Sequence, residues 1–547
     1  MSYRPSGRWP ALAFVTLFLA ACGGGGDDSP APVSPTPPTP VAVGDTVALT
    51  ATGRLVSFNR AAPATRVGSI ALSGLGTGES LVGIDVRPAD GMLYGLSNAG
   101  TIYQLDASTG VATRKSALRA AAGDDNPYAA LLGGSFAVDF NPVADRLRVV
   151  SNTGQNLRIN VDTGDAITDG AINPVTAAVS AAGYTNSFAG TTTTQLYVLD
   201  TGSGRLQLQD PPNNGTLNAG VGLGVTSNQV NGFDIDARTN VGYAAMRVGT
   251  ENVLYSINLA ATDAAATRIG AIGEGDAIVG LALAATAAPR VLALANDNRL
   301  HTIDPRQPGT ISSTTLVTGL AAGETLVGID VRPRDGVLWG LSNTARLYTI
   351  DTATGAATFR AALAADPSDT TLPYAGLTGL VTAVDFNPAA DRLRVITSDG
   401  QNLRIVVETA TANGVTVTAG HTTTDGAINR ASGAASVVAG AYTNSFAGTA
   451  TTSLYDIEQN TDQLALQNPP NNGTLVDVGA LGLNVSGATA FDIGGGANGV
   501  ALAAARTGGS GPFTLYNVNL TTGVLAAIAP IGGATGPANL IDLAIRF

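Results

Sequence analysis

Beyond residue 45 the chain is a succession of short runs in which apolar and polar residues alternate, punctuated by turn residues. Residues 82–116, VGIDVRPADGMLYGLSNAGTIYQLDASTGVATRKS, set the pattern. Turn compositions at Pro88-Ala89-Asp90-Gly91, Asn98-Ala99-Gly100 and Ser108-Thr109-Gly110 divide this stretch into four predicted strands. Residues 136–167 and 232–272 repeat the plan, and residues 178–210 hold a less regular version. Four antiparallel strands recurring every ~40–50 residues predict the blades of a β-propeller.

The same text is written twice. LVGIDVRPADGMLYGLS at 81–97 returns as LVGIDVRPRDGVLWGLS at 326–342, and QNLRI, TDGAIN, YTNSFAG and PPNNGTL follow in the same order in both halves. The second half carries extra residues between Glu408 and His421. One module therefore spans 46–285 and the other 286–547, each with five expected blades. The opening strands TVALTAT, RLVSFN and TRVGSIA lack an inner partner, which IVGLALA at 278–284 could supply. IDLAIRF at 541–547 could supply it too. Two rings are expected, because wedge angle and inter-blade packing differ between five and ten blades. The short link ATAAP at 285–289 leaves one ten-bladed ring as the alternative.

The first residues follow another pattern. Arg4 and Arg8 precede an apolar run at 11–21, too short to span a bilayer and suited to a signal peptide over 1–21. Leu19-Ala20-Ala21-Cys22 resembles the bacterial lipobox, which implies that Cys22 is lipidated and becomes the first mature residue. Gly23 follows it, so the outer membrane is the expected address. Residues 22–45, rich in Gly and then Pro, are expected to form a tether that holds the modules off the lipid surface. Cys22 is the only cysteine, so no disulfide within the chain is expected.

Charged residues make up only 13% of the chain, which disfavours long solvated helices, and the formal net charge is −12. An anionic chain without a Lys/Arg run argues against nucleic acid as a partner. Neither histidine, His301 or His421, has a histidine at the matching place of the other module, so His triads and His-rich metal sites are not expected. No P-loop, G-x-S-x-G elbow or dinucleotide fingerprint is found, and no cofactor or metal is expected. Asp162, Asp165 and Asp169 read as a solvated acidic turn in preference to a calcium loop.

The paired motifs LVGIDVRP…DG.L.GLS and VDFNP.ADRLRV.S..GQNLRI resemble the bacterial domain of unknown function 4394, and the V-D-x-x-P hairpin resembles blades of YVTN/NHL-type propellers. The resemblance implies a propeller-like, extracytoplasmic protein and no particular reaction.

Two groups of residues are candidates for function. Asp85, Asp139 and Asp234, with Asp330, Asp385 and Asp492, recur on the expected innermost strands. Carboxylates converging in a propeller funnel would suit a glycan-active hydrolase. The structural alternative is that each belongs to its hairpin, with Asp139 paired to Arg146 across the turn and Asp385 to Arg392. The second group lies on expected links between blades, at 118–134 and 211–231 with their counterparts in the second module. Tyr128, Asn213 and Asn214, then Tyr374, Asn471 and Asn472, are suited to contacting a protein, peptide or glycan. Turn chemistry and packing of the tyrosines onto the blade are the structural alternatives there. The expected function is that of a non-enzymatic, lipid-anchored binding or scaffold protein of the cell envelope, with the hydrolase as alternative.

Overall fold

A computed structural model describes residues 39–547, apart from 228, 413, 414 and 498; Cys22, the signal peptide and most of the tether lie outside them. The chain divides between Ala287 and Ala288 into two compact units. In each, sheets of four antiparallel strands stand around an axis.

In the first module the innermost strand of the first blade comes from the far end. Ile278–Leu283 pairs with Thr46–Thr50, followed outward by Arg54–Phe58 and Arg66–Ala71. The other inner strands are Leu81–Val86, Phe136–Asn141, Val179–Tyr184 and Gln229–Ile235. Each neighbours the next, and Ile278–Leu283 touches both Gln229–Ile235 and Leu81–Val86, so the ring closes on itself. The second module closes likewise, with Leu540–Arg546 pairing with Arg290–Ala295. Its other inner strands are Leu326–Val331, Val381–Asn387, Val437–Tyr442 and Ala490–Ile493, again in a closed circuit. These are two five-bladed rings, and the ten-bladed alternative is excluded because each C-terminal strand returns to its own module.

The burial pattern follows the radial position of a strand. Inner and second strands have neighbours on both faces and are almost continuously buried, whereas outer strands such as Arg66–Ala71 face solvent. Apolar side chains interlock between blades: Tyr94 meets Phe140 edge-on at 5.5 Å, and Trp339 meets Phe386 at 6.2 Å. Five inner strands around one axis approach closely. A Cβ on Gly83 would lie 2.4 Å from Val138 Cγ2, and one on Gly328 2.2 Å from Val384 Cγ2, which explains the glycine of both LVGIDV motifs.

Two links differ from expectation. Within 118–134, Arg119–Ala120 adds a fifth, parallel strand to the edge of the third blade, covering it. PPNNGTL is not an outer-to-inner link. It joins the third strand of the fourth blade, Arg205–Gln209, to a short outer strand, Val221–Gly222, because Pro212–Asn214 forms one turn of 3-10 helix that reverses the chain. The second copy does the same with Pro470–Asn472 between Gln463–Gln467 and Thr474–Ala480. The extra residues after Glu408 include a separate hairpin, Ala410–Ala412 with Val415–Val417.

Candidate functional site

The six inner-strand aspartates form two clusters. Carboxylate oxygens of Asp85, Asp139 and Asp234 lie within 4.8 Å of one another, and so do those of Asp330, Asp385 and Asp492. All six are at most 5% exposed. Neighbouring inner strands are not hydrogen-bonded as a sheet, and the aspartates bridge them. Phe140 N donates to Asp85 Oδ2 at 2.7 Å, Tyr184 N to Asp139 Oδ1 at 2.9 Å, and Leu283 N to Asp234 Oδ2 at 2.7 Å. The second module repeats the pattern through Phe386 N, Tyr442 N and Ile545 N. It adds Asp542, whose Oδ2 accepts from Ile329 N at 2.9 Å where the first module has Gly280.

The expected ion pair with Arg146 does not form. Asn141 Oδ1 accepts from Val143 N and Ala144 N, and Asp145 adopts a positive φ of 52°, so the turn holds four residues. Arg146 therefore stands opposite Asn141, and Asp139 opposite Arg148. The Arg146 guanidinium folds back on the carbonyls of Ala144 and Asp145. Arg392 is displaced from Asp385 in the same way, with Asn387 and Asp391 building the turn.

Burial, then repulsion from Asp234, pushes the Asp85 carboxyl well above the usual range, and burial, then Asp85 and Asp234, does so for Asp139. Asp330 and Asp385 are raised by the same causes, with Asp492 and Asp330 as their leading neighbours. Burial likewise raises Asp234, to about 7, and Asp492, to about 6, against the two backbone N–H groups that each accepts. Among the described residues no arginine or lysine pairs with any of the six. Three carboxyls this close could share protons or hold one cation. Each is already engaged by a backbone N–H of the next blade, which ties it to the wall of the ring. In the first module a small pocket open to solvent reaches Asp85 and Asp234 from the C-terminal ends of the inner strands, between Val86, Pro88, Ile235 and Leu283.

The repeated motifs converge on a second cluster, at the junction of third and fourth blades. Arg148 donates to Tyr184 Oη at 3.2 Å, Asn156 Oδ1 at 2.8 Å, Asp169 Oδ2 at 2.7 Å and Asn213 Oδ1 at 2.7 Å. Arg158 completes it with two bonds to Asp169. Arg394, Tyr442, Asn402, Asp425, Asn471 and Arg404 reproduce the set in the second module. Asp169 is thus a buried counter-ion and not part of a solvated turn; Asp162 and Asp165 do lie at the surface, paired with Arg87 and Arg119. The signal was present in the sequence, since DRLRV gives Arg148, QNLRI gives both Asn156 and Arg158, and TDGAIN, YTNSFAG and PPNNGTL give one member each.

The candidate binding residues are therefore scattered. All four asparagines are exposed, but the Asn213 and Asn471 side chains are engaged by buried arginines. Tyr128 and Tyr374 are half-buried and pack on the cores between second and third blades.

A closed ring of radial four-stranded antiparallel sheets, its last strand joined to its first, defines each module as a β-propeller. The model of the family described as "Domain of unknown function (DUF4394)" matches residues 54–282 and again 299–544, and the chain belongs to that family. Solved structures similar to it include the Dos1 propeller, at 12% identity over 66% of this chain and 90% of that one, with a TM-score of 0.24. The Cps50 (Swd1) propeller domain of Myceliophteria thermophila is 15% identical over 71% and 98%, with a TM-score of 0.23. A protein from Lactobacillus plantarum is 14% identical over 65% and 96%, with a TM-score of 0.26. No curated protein matches the sequence.

Proposed function

We propose that this is an exported lipoprotein of the bacterial outer membrane, anchored through Cys22, whose two propellers bind a protein, peptide or glycan of the cell envelope without cleaving it. The observation that carries the non-enzymatic reading is the use made of the inner-strand carboxylates. Each accepts a backbone N–H from the next blade, and each cluster is packed within 4.8 Å, so these acids tie the ring together. The binding surface is the outer-to-inner link ahead of the third blade, where residues 122, 123, 125–127, 129, 130 and 132–134 are exposed.

The test uses the immobilised full-length chain and purified cell-envelope glycan and protein fractions. Replacing 122–134 and its counterpart 368–380 by Gly-Ser segments of equal length should abolish retention, and Asp85→Asn should not. Release of reducing sugar by the native protein, lost in Asp85→Asn, would establish the hydrolase instead.

A further inference from the structure

Asp456 lies on Leu454–Glu458, the second strand of the fourth blade in the second module, directly opposite Gly440. The residue is 0% exposed, and among the described residues neither carboxylate oxygen has a hydrogen-bond partner. A Cβ on Gly440 would lie 2.4 Å from Asp456 Oδ1 and 3.4 Å from Ala383 Cβ, so the glycine makes the space the carboxyl occupies. In the first module the equivalent strands keep the same register, Tyr184 opposite Leu196 as Tyr442 is opposite Leu454. There the facing pair is Ala182 and Val198. An apolar pair in one ring is matched by a glycine and a buried acid in the other.

The charged and titratable groups around it are committed elsewhere. From the third blade, Arg394 spends its donors on Tyr442, Asn402, Asp425 and Asn471, and Asp385 accepts from Tyr442 N. On its own strand Glu458 is paired with Arg430, which also holds Asp477 of the outer strand. Ala465 faces Asp456 from the third strand. An isolated carboxylate in such a place is strongly disfavoured, and the group stays neutral instead. Burial pushes it up to about 8, with Arg394 offsetting only part of the effect.

We propose that Asp456 is a proton-dependent latch: the fourth blade of the second module is held against the third while this carboxyl is neutral, and its ionisation loosens that module alone. Because the folded-state value lies above the unfolded value of ~3.9, the stabilisation is complete below about pH 4 and is lost as pH rises toward about 8. The clustered inner-strand aspartates titrate too, but they are common to native protein and variant and cancel in the difference between them.

Trp339, buried between the second and third blades of this module, reports its unfolding, and it is the one tryptophan of the chain from Cys22 onward. Denaturant titrations at pH 5, 7 and 9 would compare this protein with Asp456→Val/Gly440→Ala, which copies the first module, and with Asp456→Asn, which keeps the shape. The unfolding constant of the unsubstituted chain should rise relative to both variants by up to tenfold per pH unit between about 4 and 8. A difference that is the same at pH 5 and pH 9 for both variants would overturn the latch. Asp456→Asn keeps the test decisive should the double variant fail to fold.

Discussion

Arg148 Nη2 donates to Asn213 Oδ1 at 2.7 Å, so a side chain from the second strand of the third blade is held by the rim turn of the fourth. The same guanidinium reaches Tyr184 on the fourth blade's inner strand and Asp169 at the end of its own, and one residue therefore spans the junction radially. Arg394 does this in the second ring. A motif that resembles a ligand-binding loop in the sequence is a clamp on an arginine.

Breaking that clamp should show its structural role. Asp169→Ala leaves two guanidiniums without their carboxylate, one of them buried, and is expected to destabilise the first module by ~3–5 kcal/mol. Asn213→Ala removes one bond to a charged donor and should cost ~1–3 kcal/mol. Urea unfolding of the full chain measures both. An Asn213→Ala protein of native stability that retains no envelope ligand would instead place Asn213 in a binding site.

The aspartate clusters make stability depend on pH in a direction opposite to ordinary acid denaturation. Asp85, Asp139 and Asp234 are all raised in the folded protein, Asp234 to about 7. Their contribution is therefore complete below ~4, the unfolded value, and falls as pH rises toward 7. Asp139→Asn preserves an acceptor for Tyr184 N and removes a charge, so at pH 7 it should equal or exceed native stability and show a shallower slope. Asp139→Ala leaves that N–H unpaired and should lose ~1–3 kcal/mol. Thermal scans from pH 4.5 to 8, repeated in EDTA, test this; a midpoint that falls on chelation would show that a cation and not protons neutralises the cluster.

Ring closure predicts that each half folds alone. Chains covering 39–287 and 288–547 should each unfold cooperatively, because both contain the strand that completes their first blade. Removing residues 278–287 from the first leaves Thr46–Thr50 without its inner partner, and the fragment should lose its cooperative transition. Circular dichroism of the three chains decides the matter.

Cys22→Ser should move the protein from the membrane to the soluble fraction or leave it unprocessed, since one lipidated residue would supply the hydrophobic attachment. Fractionation of cells expressing the variant tests the anchor, and unchanged membrane association would remove its basis.

The sequence by itself determined the number and kind of blades. Period-2 alternation, turn residues at regular intervals and the doubled LVGIDVRP motif depend on local geometry and on repetition, both of which a linear text carries. It also offered IVGLALA and IDLAIRF as the inner partner that the opening strands lack, and the structure gives each one to its own ring. Only the tertiary structure decided the company the polar residues keep. The four-residue turn set by Asn141 and the positive φ of Asp145 puts Arg146 opposite Asn141 and Arg148, not Arg146, opposite Asp139. One turn of 3-10 helix reassigned PPNNGTL from an inter-blade link to a rim turn that meets the neighbouring blade. Asp169, Asp456 and Asp542 look alike as letters. One lies between two arginines, one has no partner for either oxygen among the described residues, and one accepts from a neighbouring strand. Partners separated by tens or hundreds of residues are set by how blades close on one another, and a small shift in register or turn length exchanges them all.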